Sequence, residues 1–421
     1  MISTVADRIE DRQSDINNWI SNVLDSVDVP IYSSFDIRNS GHKVSVVDPN
    51  VFPAGFNNIC QESLRAAAPV FEQIIRKRFG GGIHTIGIYS EDHTKNSFYF
   101  QNLYSLLELF ETAGFDALLV TTNDQLDKDP AIMETAKRDK IEIHQLRRDG
   151  NGLSAGNETI DLLISNNDFS SGVPEILETT SVEVTPPPKM GWWNRQKSNH
   201  FDHQFTLLDE LAEVLDIDPW LLKPVTRHVD GVDFGDKTGF DLIADRIDEV
   251  IDIVQQHYGD HGVDDKPYAF VKSNQGTYGM GVYSFESGEE FLKINRDTRD
   301  SMARRKGGQE NSSVIIQEGV PTEDRVESMS GTLVAEPVLY CLEHRPVGGF
   351  LRTNEEQSDR NNLNTRGMKF TSEDLCTLFV DDAEKNEGSN MTQDKIEVYK
   401  LMATVGTLAC GREMAELNTT T

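Results

Sequence analysis

The sequence is poor in positive charge, in cysteine and in long apolar runs. Its 421 residues carry 40 Lys+Arg against 70 Asp+Glu, a formal net charge of −30. A surface this acidic repels phosphate backbones and anionic headgroups, which excludes a general nucleic-acid binder and disfavours a membrane-surface protein. No window approaches the ~18 consecutive apolar residues of a membrane span. The N-terminus, MISTVADRIEDRQSD, lacks the apolar core of a secretory signal. Four cysteines, Cys60, Cys341, Cys376 and Cys410, stand far apart with no C-x-x-C spacing. That argues against a zinc site and a disulfide framework, fits a reducing cytoplasm, and makes structural cysteine the default for all of them.

What is present is a 37% hydrophobic fraction, sufficient for buried cores. At about 100–200 residues per domain, the length suggests two to four domains. From residue 62 the pattern alternates: a helix over 62–79, a strand over 84–89, a helix over 97–113, then strands at 117–122, 141–146 and 161–165. Helix–strand alternation predicts a doubly wound, mostly parallel α/β domain. Loops after such strands, Glu91–Asn96 and Ser165–Asp168, are the usual ligand positions. The run Thr185-Pro186-Pro187-Pro188 marks a stiff connection. It divides the chain into an N-terminal α/β domain, 1–188, and a second region, 189–421. The second half reads as helices at 206–216 and 240–258, strands at 268–273, 282–285, 314–318, 332–340 and 347–352, and a closing helix at 393–416.

The strongest chemical signal lies between two of those strands, from Lys272 to Val282. Gly276, Gly279 and Gly281 let backbone N–H groups approach phosphate oxygens, and Lys272 offers an ammonium. It is neither a Walker A loop nor a dinucleotide fingerprint, and alone it reads equally well as a structural hairpin. Order raises its meaning. The strand 314–318 offers an adenine edge at Gln317, Glu318 and Val320. Glu336 and Arg352 follow on later strands, and then Asn361-Asn362-Leu363-Asn364. Phosphate cradle, adenine edge, carboxylate and arginine occur in chain order.

This order resembles the ATP-grasp superfamily. AEPVLYCLEHRPVGGFLRTN resembles the matching run of bacterial glutathione synthetase. From about residue 30 onward the chain resembles the proteobacterial glutamate–cysteine ligases of ATP-grasp type, through SSFDIRNSGHKVSVVDPNVFPAGFNNIC, EDHTKN, DLLISNNDFSSGVP, GWWNRQKSNHF, KSNQGTYGMGV, IIQEGVPT and NNLNTRGMKF. The resemblance implies that 1–188 is a substrate-binding domain and that 189–421 is an ATP-grasp-like, ATP-binding and catalytic region. It also implies ATP-dependent joining of the L-glutamate γ-carboxylate to the amine of L-cysteine through an acyl phosphate, with ATP and Mg²⁺.

On that reading Lys272 binds phosphate and Arg352 stabilises the acyl-phosphate and tetrahedral states. Lys223 is a second phosphate lysine or a surface lysine. Glu336, Asn362 and Asn364 are oxygen ligands for Mg²⁺, or an ion-pair partner and loop caps. Glu416-Leu417-Asn418 has the spacing of a metal pair but reads as a chance match on a helix. Glu323 or Asp324 is a ribose candidate. Arg38 and Asp48 match the charges of glutamate, in a cluster with Asp36, Lys43, Asn50, Asn57 and Asn58, unless these are turn and capping residues. Arg195 and Lys197, in the basic aromatic stretch, reach substrate or phosphate from the other side. The expected partners are the two amino acids, with no nucleic acid and no membrane. The expected location is cytoplasmic, and a homo-oligomer is left open. Another carboxylate–amine ligase of glutathione synthetase type, or a small-molecule phosphotransferase, is the alternative.

Overall fold

The computed structural model describes residues 2–91, 96–124, 126, 128–275, 281–303, 311–329, 331–376 and 391–419. The fold is mixed α/β, built on three sheets. In the eight-stranded sheet the parallel strands expected from helix–strand alternation form the centre. Glu183–Thr185, Leu162–Ser165, Thr85–Tyr89, Asp116–Thr121 and Lys140–Asp149 lie side by side in that order, all parallel. Gly152–Ala155 and Glu158–Ile160 extend the sheet antiparallel, and Ala131–Glu134 pairs with Lys140–Asp149. Helices Gln61–Phe79 and Ser97–Thr112 pack on it through an apolar cluster, in which Phe71 stacks on Phe110 at 4.3 Å.

The six-stranded sheet is antiparallel. Its order is Lys369–Thr371, Arg345–Thr353, Gly331–Leu342, Tyr32–Asn39 and Val44–Asn50, with Arg325–Ser328 added on Gly331–Leu342. Residue 188 therefore does not separate this sheet, because strands from residues 32–50 lie beside strands from residues 331–371. Local periodicity carries no information about neighbours that far apart in sequence. Helix Gln393–Thr419 lies across one face, and Gly406 permits the contact: a Cβ there would stand 2.5 Å from the Phe35 ring.

The third sheet has four antiparallel strands, Thr226–Asp230, Ser313–Glu318, Ala269–Ser273 and Tyr283–Phe285. Helix Phe240–His261 covers it with the stripe Ile243, Ile247, Val250, Val254 and Tyr258, all buried. Helix Lys197–Leu215 starts earlier than the 206 expected. Its first turns bury the polar His200 and Gln204, which an apolar periodicity passes over.

The cysteine expectation is corrected in part. Cys60 and Cys376 form a disulfide across a sequence separation of 316 residues. Spacing along the chain did not reveal it, because the strand order returns the segment after Thr371 to the start of helix Gln61–Phe79. The cysteine count thus loses its weight as a sign of a reducing compartment. Cys341 and Cys410 are buried free thiols, and burial pushes the Cys341 thiol up to about 12. Among the described residues no helix is long and apolar enough to cross a membrane.

Candidate active site

The site begins with strand alternation, which sends successive side chains to opposite faces. On the six-stranded sheet Phe35, Ile37, Leu339 and Leu351 face the core that includes helix Gln393–Thr419. Asp36, Arg38, Glu336 and Arg352 take the other face. Register brings them together: Asp36 lies opposite Asp48 and Val338, and Glu336 opposite Arg352.

Arg352 donates from Nη1 to Asp36 Oδ2 at 2.5 Å and to Glu336 Oε1 at 2.6 Å. Arg38 donates from Nε to Glu336, and from Nη1 and Nη2 to the carbonyls of Asp359 (2.9 Å) and Asn361 (2.8 Å). Burial opposes the charge of Arg352, but Asp36 and Glu336 hold its guanidinium above the ordinary value. Burial pushes the Asp36 carboxyl up to about 6, with Arg352 working against it. The Arg352 Nε is buried with no acceptor among the described residues.

The four-stranded sheet faces this cluster. Phe270 and Lys272 share one face of their strand. Lys272 Nζ donates to Gln317 Oε1 at 2.7 Å and to the Val47 carbonyl at 2.9 Å, so it spans from one sheet to the other. Burial, then repulsion from Lys197, pushes the Lys272 ammonium down to about 7. Lys197 pairs with Asp48. Burial opposes ionisation of Asp48, yet Lys197 and Lys272 hold its carboxyl below the usual range. Between the sheets lies a cleft, partly open to solvent, lined by Asp36, Arg38, Asp48, Lys197, Lys272 and Glu336 and by Val47, Phe270, Val282 and Val320.

Of the residues singled out from sequence, the structure brings Arg38, Asp48, Lys272, Gln317, Glu318, Val320, Glu336, Asn362 and Asn364 to the cleft wall, with Arg352 bonded to two of its lining residues. Glu318 is engaged by Lys43 Nζ at 2.6 Å and by the Val225 N–H at 2.9 Å. Gly276 and Gly279 lie outside the described residues, and Gly281 has φ +68° against Met302. Lys223 is not in the cleft wall and pairs with Asp209. Asn50 accepts from the Phe52 N–H, and Asn57 donates to Asn58, both outside the wall. Asp324 is buried against Lys395 and Tyr399, and Glu323 accepts from Asn39. Glu416 bonds His203 on the helix surface. Asp36 and Lys197, candidates from their sequence neighbourhoods, also line the cleft. Sequence reading left out Val47, Phe270 and Val282 as site residues. The signal for Phe270 was there, in its two-residue spacing from Lys272.

Arg195 is corrected in position. It is buried behind the strand that carries Asp48, donating to the Pro49 carbonyl (3.2 Å) and to both Glu413 oxygens (2.8 and 3.0 Å), with His200 Nδ1 at 3.3 Å. Burial opposes the Glu413 charge, but Arg195 and His200 hold its carboxyl down to about 2. Glu413→Ala should cost about 3–5 kcal/mol, because it leaves a guanidinium buried without its counter-charge. Denaturant unfolding checks this, and an unchanged midpoint would contradict it.

The oxygen donors on this wall fit a hard divalent cation only in part. Arg38 and Arg352 each take one Glu336 oxygen, and two guanidinium charges so close repel an ion there. Asn362 Oδ1 accepts the Asn364 N–H at 2.9 Å, which orients that amide.

The family model described as glutamate-cysteine ligase (GshA) matches residues 6–414. A solved structure of a candidate gamma-glutamylcysteine synthetase from Methylobacillus flagellatus KT superimposes with a TM-score of 0.86. It is 30% identical, over 98% of this chain and 96% of that chain. A glutathione synthetase-like effector from Globodera pallida reaches a TM-score of only 0.43 at 9% identity, over 88% of this chain and 83% of that one, and nothing is built on it. No curated protein matches.

Proposed function

The chain belongs to the glutamate–cysteine ligase family, and from that premise we propose that the cleft between the six- and four-stranded sheets, ATP-grasp-like in use, is where ATP and L-glutamate react. The family's reaction joins glutamate to cysteine as γ-glutamylcysteine, the first step of glutathione synthesis. The observation that carries the assignment is Arg352, clamped between Asp36 and Glu336 on one sheet, with Lys272 facing them from the other.

In this reading adenine lies against Phe270, Val282 and Val320, with Gln317 at its edge. Lys272 holds phosphate. A γ-carboxylate oxygen of glutamate bonds to the terminal phosphorus of ATP, and ADP leaves. The cysteine amine then attacks the acyl carbon and gives up a proton, the carbon–oxygen bond breaks, and phosphate leaves. Both steps spread negative charge over oxygens, where donors and cations fixed in advance count most. Asp36 and Glu336 fix the Arg352 guanidinium, and its Nε, buried with no acceptor among the described residues, is the donor left for that charge.

Asn362 and Asn364, rather than the arginine-bound Glu336, are the residues that would meet a divalent cation arriving with ATP, Mg²⁺ by the chemistry of oxygen donors. It would neutralise phosphate charge there. Arg38 spends its donors on Glu336 and on the carbonyls of Asp359 and Asn361. We therefore assign it to positioning the 359–364 segment rather than to the substrate carboxylate.

The test is ADP release together with mass spectrometry of the product. With ATP, glutamate and cysteine present, γ-glutamylcysteine should form one-for-one with ADP. Sustained ADP release from glutamate alone, at the full rate and with no peptide formed, would favour the phosphotransferase reading instead.

A further inference from the structure

Three clusters among the described residues bring together side chains able to ligate a metal ion. Two are already occupied by other chemistry. In Cys60–Glu62–Cys376 the sulfurs are bonded to each other. In His200–Cys410–Glu413 the Arg195 guanidinium takes up the carboxylate and faces the imidazole, so a cation is repelled.

The third cluster, Asp218, His257 and His261, has neither obstacle. His257 and His261 stand four apart on helix Phe240–His261, so they share a face. Asp218 precedes the short turn Pro219–Leu221, and its Oδ1 accepts the Trp220 N–H at 2.9 Å. Its Oδ2 lies 2.9 Å from His261 Nε2. One ligand atom from each residue lies within 4.8 Å of the others. Trp220 stacks on both imidazoles, at 5.0 Å and 6° for His257 and at 4.8 Å and 23° for His261. The rings are thus oriented before any ion arrives, and the Trp220 N–H holds the carboxylate as an outer-shell partner does in metal sites.

We propose that Asp218, His257 and His261 bind one zinc ion at the protein surface, with water as the fourth ligand. Two imidazole nitrogens and one carboxylate form a donor set for zinc and its borderline neighbours, whereas magnesium and calcium take oxygen. The site uses no cysteine, so the absence of a C-x-x-C pair does not bear on it. It is separate from the cleft, and Trp220 is the link: the Lys43 ammonium lies 4.1 Å from the centre of the Trp220 ring, and Lys43 pairs with Glu318.

The experiment is a zinc titration by calorimetry on the full chain, tag-free and stripped with chelator. Wild type should bind one more zinc per chain than the His257→Ala/His261→Ala variant. Asp218→Asn should weaken that site by more than tenfold, in line with the ~10–100-fold cost of disturbing even outer-shell groups. Zinc should also change tryptophan emission in wild type and not in Trp220→Phe. Zinc-free γ-glutamylcysteine formation by the histidine variant should match wild type, which shows that it folds. Equal zinc stoichiometry in wild type and the histidine variant would overturn the site. So would displacement of the zinc by equimolar magnesium.

Discussion

Arg352→Ala should lower kcat/KM for γ-glutamylcysteine formation by about 10³-fold, the range in which single transition-state cations and oxyanion donors act. The expectation rests on what surrounds the guanidinium. Asp36 and Glu336 both accept from Arg352 Nη1, at 2.5 and 2.6 Å. Without Arg352 these carboxylates face each other, and Glu336 keeps only Arg38. Breaking a buried ion pair from one side costs about 3–5 kcal/mol, so the alanine variant also loses stability. Arg352→Lys separates the two effects. It keeps the charge and should retain most of the unfolding midpoint, but it loses the two-nitrogen grip on Asp36, from Nη1 at 2.5 Å and Nη2 at 3.3 Å, and the free Nε donor. Its kcat should still fall by about 10²-fold. Steady-state kinetics beside a melting curve reads both. A lysine variant with wild-type kcat would remove Arg352 from the chemistry.

Lys272→Met should raise the KM for ATP by roughly 10–100-fold, since a hydrogen bond to a charged group contributes about 1.5–3 kcal/mol. Its pH behaviour is the sharper test. In the free protein burial and Lys197 bring the Lys272 ammonium to about 7 from an ordinary 10.5. Phosphate favours the charged form, so ATP binding takes up a proton wherever free Lys272 is neutral. The KM for ATP should therefore rise as pH climbs above about 7, up to tenfold per pH unit if Lys272 alone titrates. Lys272→Arg stays charged throughout and should flatten the profile. A wild-type KM that stays level from pH 6 to 9 would contradict the placement of Lys272 against phosphate.

Legibility in the sequence followed the range of the interactions. The parallel strands at 85–89, 116–121 and 162–165 could be read because each buries a short apolar run between helices. The types and chain order of Lys272, Gln317, Glu336 and Arg352 point to one site, and the fold does gather three of them at the cleft wall with Arg352 bonded to Glu336. Pairing between distant segments could not be read. Asp36 gains its meaning only when its strand docks beside Gly331–Leu342. Arg195 looked like a site residue because it sits in a basic, aromatic stretch, yet Glu413, more than two hundred residues later, takes its charge. The Cys60–Cys376 bond escaped for the same reason.

The charge of −30 also reads differently once the cations are located. Lys197, Lys272, Arg38 and Arg352 are all buried at the cleft, each bonded to a carboxylate, carbonyl or amide oxygen that fixes it. Asp36, Asp48 and Glu336 bond to these same cations, so the cleft is a patch of balanced charge within an acidic shell.

The central claim is that this cleft activates the glutamate γ-carboxylate as an acyl phosphate. Glutamate labelled with ¹⁸O in both γ-carboxylate oxygens, turned over with unlabelled ATP and cysteine, tests it directly. One ¹⁸O atom should appear in each phosphate released. Phosphate without the label would contradict the account.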